Sequence, residues 1–292
     1  MTKRLLIDGR QTEETRVVLL SGTRIEDFDY ETENRKQLKG NVYLARVTRV
    51  EPSLQAAFIE YGGNRQGFLA FSEIHPDYYR IPVEDREALI EADEADSDDE
   101  ALEANTDDMP ETLGGEGADE EDILPKRQVK KYKIQEVISR KQIMLVQVAK
   151  EERGNKGAAL TTYLSLAGRY CVLMPNNNRG GGVSRKITNL VDRKRLKTVV
   201  GGLEIQDGMA VIVRTAGAKR TKTEITRDFN YLSKLWDDIR ARTLESQAPC
   251  LIHEEGDLIK RSIRDLYTNE VDEACLLYTS DAADDTPCVD LG

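Results

Sequence analysis

The apolar positions of this chain fall in short runs, and the period at which they recur changes along its length. Leu5-Leu6-Ile7 and Val17-Val18-Leu19-Leu20 read as two strands parted by a polar turn, and a Ser21-Gly22 turn leads into IEDFDYE, a third candidate strand. Such a meander has too little surface to enclose a core alone, so residues 1–37 need a partner elsewhere in the chain. From residue 38 three more strand-like runs follow, NVYLARVTRVE, SLQAAFIEYG and RQGFLAFSEI, with turns at Pro52-Ser53, Gly62-Gly63-Asn64 and Gly67. Short, evenly spaced strands with glycine-rich turns predict a small barrel. RKQIMLVQVAKEE adds a further strand to it.

The alternation within the barrel runs is informative. Ala57, Ile59 and Tyr61 share one face, and Phe58 falls on the other with Glu60. Leu69 and Phe71 likewise lie opposite Phe68, whose period-two neighbours are Gln66 and Ala70. Both phenylalanines therefore sit on the polar side of their strands. They are either stacking platforms for unpaired bases or the filling of a second small core under a loop.

A helical period takes over later. LVDRKRLKTVV reads as a helix, and DFNYLSKLWDDIRARTL places Phe229, Leu232, Leu235, Trp236 and Ile239 on one side of another, with Asp228 as its N-cap. Between them, Met209-Ala210-Val211-Ile212-Val213 reads as a buried strand. A strand at CLIHE and a helix within GDLIKRSIRDLYTNEV follow.

Charge changes the picture twice. The net charge of −11 is dominated by residues 91–122, which hold sixteen Asp or Glu and no Lys or Arg. Without that segment, 42 basic residues face 37 acidic ones, so the folded parts are mildly basic and suit a nucleic-acid partner. The acidic run has no aromatic residue and cannot bury enough surface to fold; it reads as a solvated insertion, with RNA mimicry or a partner tail as its rivals. The second change is local. VRTAGAKRTK, residues 213–222, carries Arg214, Lys219, Arg220 and Lys222 with no acid among them, at the end of the apolar strand.

Arginine offers planar, two-point recognition of phosphate oxygens, and a neighbouring hydroxyl can add a third bond. Arg214-Thr215, followed by small Ala216-Gly217-Ala218, leaves room for a phosphate, although a bare Arg-Thr pair is also a common surface turn. Arg185-Lys186 after a glycine loop, and Lys150, Arg153 and Lys156 around another, give the phosphate reading company. Other chemistries find little support. Gly154-Asn155-Lys156-Gly157 lacks the phosphate-loop spacing, and His75 and His253 stand alone. Cys171, Cys250, Cys275 and Cys288 form no C-x-x-C pair, as expected of thiols in a reducing compartment. No run approaches the ~18 apolar residues of a membrane span, and MTKRLLIDGR has no apolar signal region, so a cytoplasmic protein is expected.

Taken in order, EPSLQAAFIEYGGNRQGFLAF, KEERGNKGAALTTYLSLAGRYCVLMPNN, SRKI and VIVRTAGA resemble the N-terminal half of bacterial ribonuclease E/G endoribonucleases over about residues 1–273. The resemblance implies an α+β multidomain fold. A ribonuclease-H-like domain is split into residues 1–37 and a second part starting at 259–273. An OB-fold RNA-binding barrel of the ribosomal protein S-one type fills 38–152, with an acidic disordered insert at about 84–125, and a 5′-end sensor fills 153–258. Arg214, Thr215, Gly168, Val172 and Arg185 would bind a 5′-monophosphate; Phe58, Phe68, Lys150 and Lys156 would contact single-stranded RNA. The implied partners are single-stranded RNA with a 5′-monophosphate and further copies of the chain, a tetramer in the family, with no role for DNA.

The chain departs from that family where catalysis would lie. The family's magnesium-binding aspartates, which activate water, and its zinc-linking cysteine pair have no counterpart, so the chain as it stands is expected not to cleave RNA. Residues 274–292, ACLLYTSDAADDTPCVDLG, look foreign and are expected to lack order, a natural disordered terminus being the rival reading. A non-catalytic RNA-binding protein, acting as chaperone or assembly module, is the alternative function.

Overall fold

The computed structural model describes residues 2–11, 13–32, 37–87, 89–90, 132–153, 156–177, 181–206, 208–267, 270–278 and 288–290. The first three strands, β1 (Lys3–Gln11), β2 (Glu14–Ser21) and β3 (Arg24–Thr32), run antiparallel. Leu5, Ile7 and Val17 are buried, whereas β3 turns most of its side chains to solvent.

Five strands then close a barrel: β4 (Val42–Glu51), β5 (Ala56–Glu60), β6 (Gly67–Ala70), β7 (Ile143–Lys150) and β8 (Ala159–Thr161). Their order is β4-β5-β6-β8-β7, and β7 pairs back onto β4. Only β6 and β8 run parallel within it. Ala57, Ile59, Tyr61 and Leu69 fill the interior, as the alternation predicted, together with Met144, Val146 and Leu160, and a single helical turn, α1 (Ile134–Val137), adds two of its own residues. The acidic run lies outside the described residues.

The barrel reaches past the expected boundary at 152, because its fifth strand comes from residues 159–161. The approach to that strand explains why. A Cβ on Gly157 would lie 1.9 Å from the Gln66 carbonyl oxygen, so only glycine lets the chain lie against the start of β6 and pair with it.

A third sheet, β11-β12-β10-β9, is built from β9 (Leu166–Ala167), β10 (Cys171–Met174), β11 (Gly182–Val183) and β12 (Ala210–Val213). Helices α2 (Leu190–Gly201) and α3 (Lys222–Glu245) share its core: Leu196, Ile225, Phe229, Leu232 and Ile239 join Cys171, Leu173, Val211 and Val213. Each such side chain contributes about 1.5–3 kcal/mol by leaving water. Helix α3 starts seven residues, about two turns, earlier than the apolar stripe implied. Thr221 caps it, its hydroxyl accepting from Glu224 N while the Glu224 carboxylate accepts from Thr221 N. Asp228 is therefore not the N-cap but an interior residue of α3. Strand β13 (Cys250–His253) then pairs with the outer edge of β4.

After α4 (Leu258–Asp265) the chain returns to its beginning. Strand β14 (Glu273–Tyr278) runs parallel to β1, with Leu6 opposite Cys275, and β15 (Cys288–Asp290) pairs with β14. The sheet order β15-β14-β1-β2-β3 gives residues 1–37 the partner they require. The tail expected to lack order from 274 is thus a strand as far as 278: Cys275 is buried, and Ala274 and Leu276 pack on the Leu5–Ile7–Val17 cluster. No helix among the described residues is long and apolar enough to cross a membrane.

Candidate nucleic-acid interface

One line of paired residues crosses the outside of the barrel. Arg49 on β4 lies opposite Phe58 on β5, Phe58 opposite Phe68 on β6, Phe68 opposite Ala159 on β8, and Ala159 opposite Lys150 on β7. The two rings meet edge to face, centroids 6.1 Å apart, and both are half-buried rather than enclosed. The Arg49 guanidinium covers the Phe58 ring at 4.6 Å, the geometry of a cation–π contact. Lys156 is exposed on the approach to β8, where Arg153 and Lys156 exchange backbone hydrogen bonds, two residues before the Ala158 carbonyl accepts from Phe68 N. Phe58, Phe68 and Lys150 therefore come together as an aromatic strip with cations at both ends, Arg49 at one and Lys150 at the other. Arg49 was missed in the sequence; its place at the polar period of β4 was the available signal.

The second cluster is a turn. Residues 168–171 link β9 to β10, and three consecutive amides there point at one carboxylate: Arg169 N at 3.2 Å from Asp228 Oδ1, Tyr170 N at 2.8 Å and Cys171 N at 2.9 Å from Oδ2. Asp228 reaches this turn from α3. It packs so closely that a Cβ on Gly168 would lie 2.6 Å from its Oδ2, which excludes any other residue there without a shift. Burial pushes the Cys171 thiol up to about 12, with the Asp228 charge adding to the effect, so this thiol is inert.

Arg214 ends β12 against the same turn. Its amide donates to the Tyr170 carbonyl at 2.7 Å, and its Nη1 donates to the Gly168 carbonyl at 2.6 Å. Thr215 opens a short 3-10 turn, exposed, beside buried Gly217. Val172, half-buried on β10, pairs with Ala167 on one side and Ile212 on the other. Arg185 is exposed two residues beyond Val183, which lies opposite Val213, so Arg185 and Thr215 leave the sheet at the same end. All five expected residues thus belong to one end of one sheet.

Arg214 is not an unopposed cation, however. Its Nη2 donates to Asp265 Oδ1 at 2.6 Å, and the other carboxylate oxygen lies 3.0 Å from Arg264 Nη2. Arg264 also pairs with Glu255. Burial alone would push the Asp265 carboxyl up, but hydrogen bonds from Arg264 and Arg214 outweigh it and hold the group below its ordinary value. The expected phosphate ligand therefore carries an internal counter-ion. Two clefts flank this network, one of about 570 Å³ between β3, the barrel and α4, and one of about 480 Å³ lined by Gly168, Asp228, Tyr231 and His253. Among the described residues no group of three or more His, Cys, Asp or Glu converges as metal ligands would.

The barrel has an aromatic, cation-flanked face and the turn bears an arginine; comparison with known proteins gives the family. The sequence model of the Ribonuclease E/G family matches residues 165–283, a stretch that includes the first ten residues of the tail that looked foreign. Ribonuclease E of Haemophilus influenzae is 39% identical over 93% of this chain, and that of Escherichia coli 38% identical over the same share. Ribonuclease G of Escherichia coli is 30% identical over 96%. This chain spans 24% and 21% of the lengths of those two ribonucleases E and 51% of that ribonuclease G. The chain belongs to the ribonuclease E/G family.

Proposed function

We propose that this chain is the RNA-binding and 5′-monophosphate-sensing part of a magnesium-dependent endoribonuclease acting on single-stranded RNA. In this reading the closed barrel is an OB fold, and the sheet joining β1 to β14 is a split ribonuclease-H-like domain. The observation that carries it is the line of Arg49, Phe58, Phe68 and Lys150 across the barrel. The two rings are stacking platforms for unpaired bases, at roughly 1–3 kcal/mol each, and the flanking cations follow the phosphates. A duplex hides its base faces and gains nothing from the rings.

The turn at 168–171 supplies the second half of the reading. Arg214, held at the turn by the Gly168 carbonyl, grips a terminal phosphate, Thr215 adds a hydroxyl, and Val172 and Arg185 bound the space. Binding energy collected at the end positions the strand for a reaction elsewhere along it. The hydrolytic step is assigned to none of the residues named above. The test compares binding of one short RNA as single strand and as duplex. The single strand should bind at least ~10-fold more tightly, and Phe58→Ala with Phe68→Ala should remove most of that advantage. Equal binding of both forms, untouched by the double substitution, would refute the reading.

A further inference from the structure

We propose that Asp265 is a specificity-determining residue of the 5′-end site: its carboxylate is an exchangeable counter-ion on Arg214, displaced by a terminal monophosphate and repelling longer phosphate chains. The inference rests on Arg214 being the phosphate ligand, as read above.

Three features make the exchange feasible. First, Asp265 Oδ1 stands 2.6 Å from Arg214 Nη2, where an oxygen of a bound phosphate would stand, and both side chains are about a third exposed, so an incoming anion has access. A phosphate monoester carries about −1.5 to −2 charges at neutral pH and three acceptor oxygens, so it outcompetes a single carboxylate for the guanidinium. Second, Asp265 does not depend on Arg214. Its other oxygen keeps Arg264 Nη2 at 3.0 Å, with Arg264 Nε at 3.3 Å from both oxygens, and Arg264 is steadied in turn by Glu255. Release of Arg214 therefore leaves no unpaired charge behind. Third, Arg214 Nη1 stays on the Gly168 carbonyl, which the Asp228-bound turn fixes, so the guanidinium changes partner without moving its arm.

Selectivity follows from what stays in place. After exchange the Asp265 carboxylate still borders the site, at the last residue of α4, where the partial negative end of the helix adds to it. A monophosphate brings one anionic group, which Arg214 neutralises. A triphosphate brings two more within the ~8 Å over which charges act at physiological salt, and these face an anionic wall. A site with Arg214 but no such carboxylate would bind the more highly charged end more tightly.

The experiment uses one RNA sequence with a 5′-hydroxyl, a 5′-monophosphate or a 5′-triphosphate, titrated by fluorescence anisotropy against the full chain and its variants. Asp265→Asn keeps the size and an acceptor oxygen for Arg214 but loses the charge. It should tighten the monophosphate about two- to fivefold, the range a partly exposed ion pair spans, and the triphosphate by more. The hydroxyl end should be unchanged, and Asp265→Glu should restore the wild-type ratio. Equal tightening of all three ends would reduce the effect to general charge, and weaker binding of phosphorylated ends would make Asp265 an orienting group; either overturns the proposal. Failure of the underlying reading looks different: the wild-type chain would not distinguish hydroxyl from monophosphate, and Arg214→Ala would change neither.

Discussion

Replacing Asp228 by alanine removes the acceptor of three backbone hydrogen bonds, from Arg169, Tyr170 and Cys171. A hydrogen bond to a charged group contributes about 1.5–3 kcal/mol, and a buried donor left without a partner costs a similar amount. Cys171 is fully buried, so its amide finds no water after the change, whereas Arg169 and Tyr170 are partly exposed and rehydrate. Counting the first in full and the others in part gives a loss of about 3 kcal/mol. For a unit of this size that lowers the melting temperature by roughly 6–12 °C. Asp228→Asn should lose about half as much, because a carbonyl oxygen placed at Oδ2 keeps the two shorter bonds as neutral ones. Thermal unfolding followed by circular dichroism measures the loss. Anisotropy with phosphorylated and hydroxyl-ended RNA measures its consequence: the preference for the phosphate should vanish while binding to the barrel, which has its own core, persists. If Asp228→Ala melts with the wild type, the turn is not held as described and the account of the 5′-end site fails with it.

Three further outcomes are expected. Phe58→Ala and Phe68→Ala should each weaken single-stranded RNA by about 1–3 kcal/mol, equally for phosphorylated and hydroxyl ends, in an anisotropy titration; a loss confined to phosphorylated ends would contradict their place on the barrel. Gly157→Ala puts a methyl group 1.9 Å from the Gln66 carbonyl and should destabilise the barrel by about 1–3 kcal/mol in thermal unfolding. The Asp265 carboxyl titrates below its ordinary value of 3.8 because Arg264 and Arg214 hold it ionised against burial, so its contribution to stability is present above that pH and is lost as the pH falls through the lower folded value. Unfolding measured across that acid range should show Asp265→Asn losing less stability than the wild type as pH drops.

Much of the architecture was legible because it rests on local pattern. The alternation in SLQAAFIEYG and RQGFLAFSEI placed Ile59, Tyr61 and Leu69 inside and the two phenylalanines outside, where the structure has them. The incompleteness of residues 1–37 was legible too, since a three-strand meander cannot bury its face alone. The resemblance put its partner from about residue 259 onward, but the strand β14 itself was read as the start of a foreign tail. A strand that joins a sheet in parallel reads as a near-continuous apolar run, and ACLLY offers no alternation to betray it. The extent of the barrel escaped for a related reason, since β8 is only three residues long and announces itself through Gly157, not through its own side chains.

The candidate site was half legible. Arg214 and Gly168 were singled out and do touch. The carboxylates that govern them were not, because Asp228 and Asp265 act on residues 57 and 51 positions away. Asp228 was read as a cap for its own helix, which is what an Asp before an apolar stripe most often is. Only the packing of α3 on β10 shows that it caps a different turn.

The central claim is that Arg214 reads the phosphate at the start of an RNA strand, and a double-mutant cycle tests it most directly. Dissociation constants are needed for the wild-type chain and Arg214→Ala, each with 5′-monophosphate and 5′-hydroxyl forms of one oligonucleotide. A coupling of at least ~1 kcal/mol between the side chain and the phosphate is the predicted result. A coupling of zero, with the substitution weakening both RNAs by the same factor, would show that Arg214 serves only the fold or the general charge.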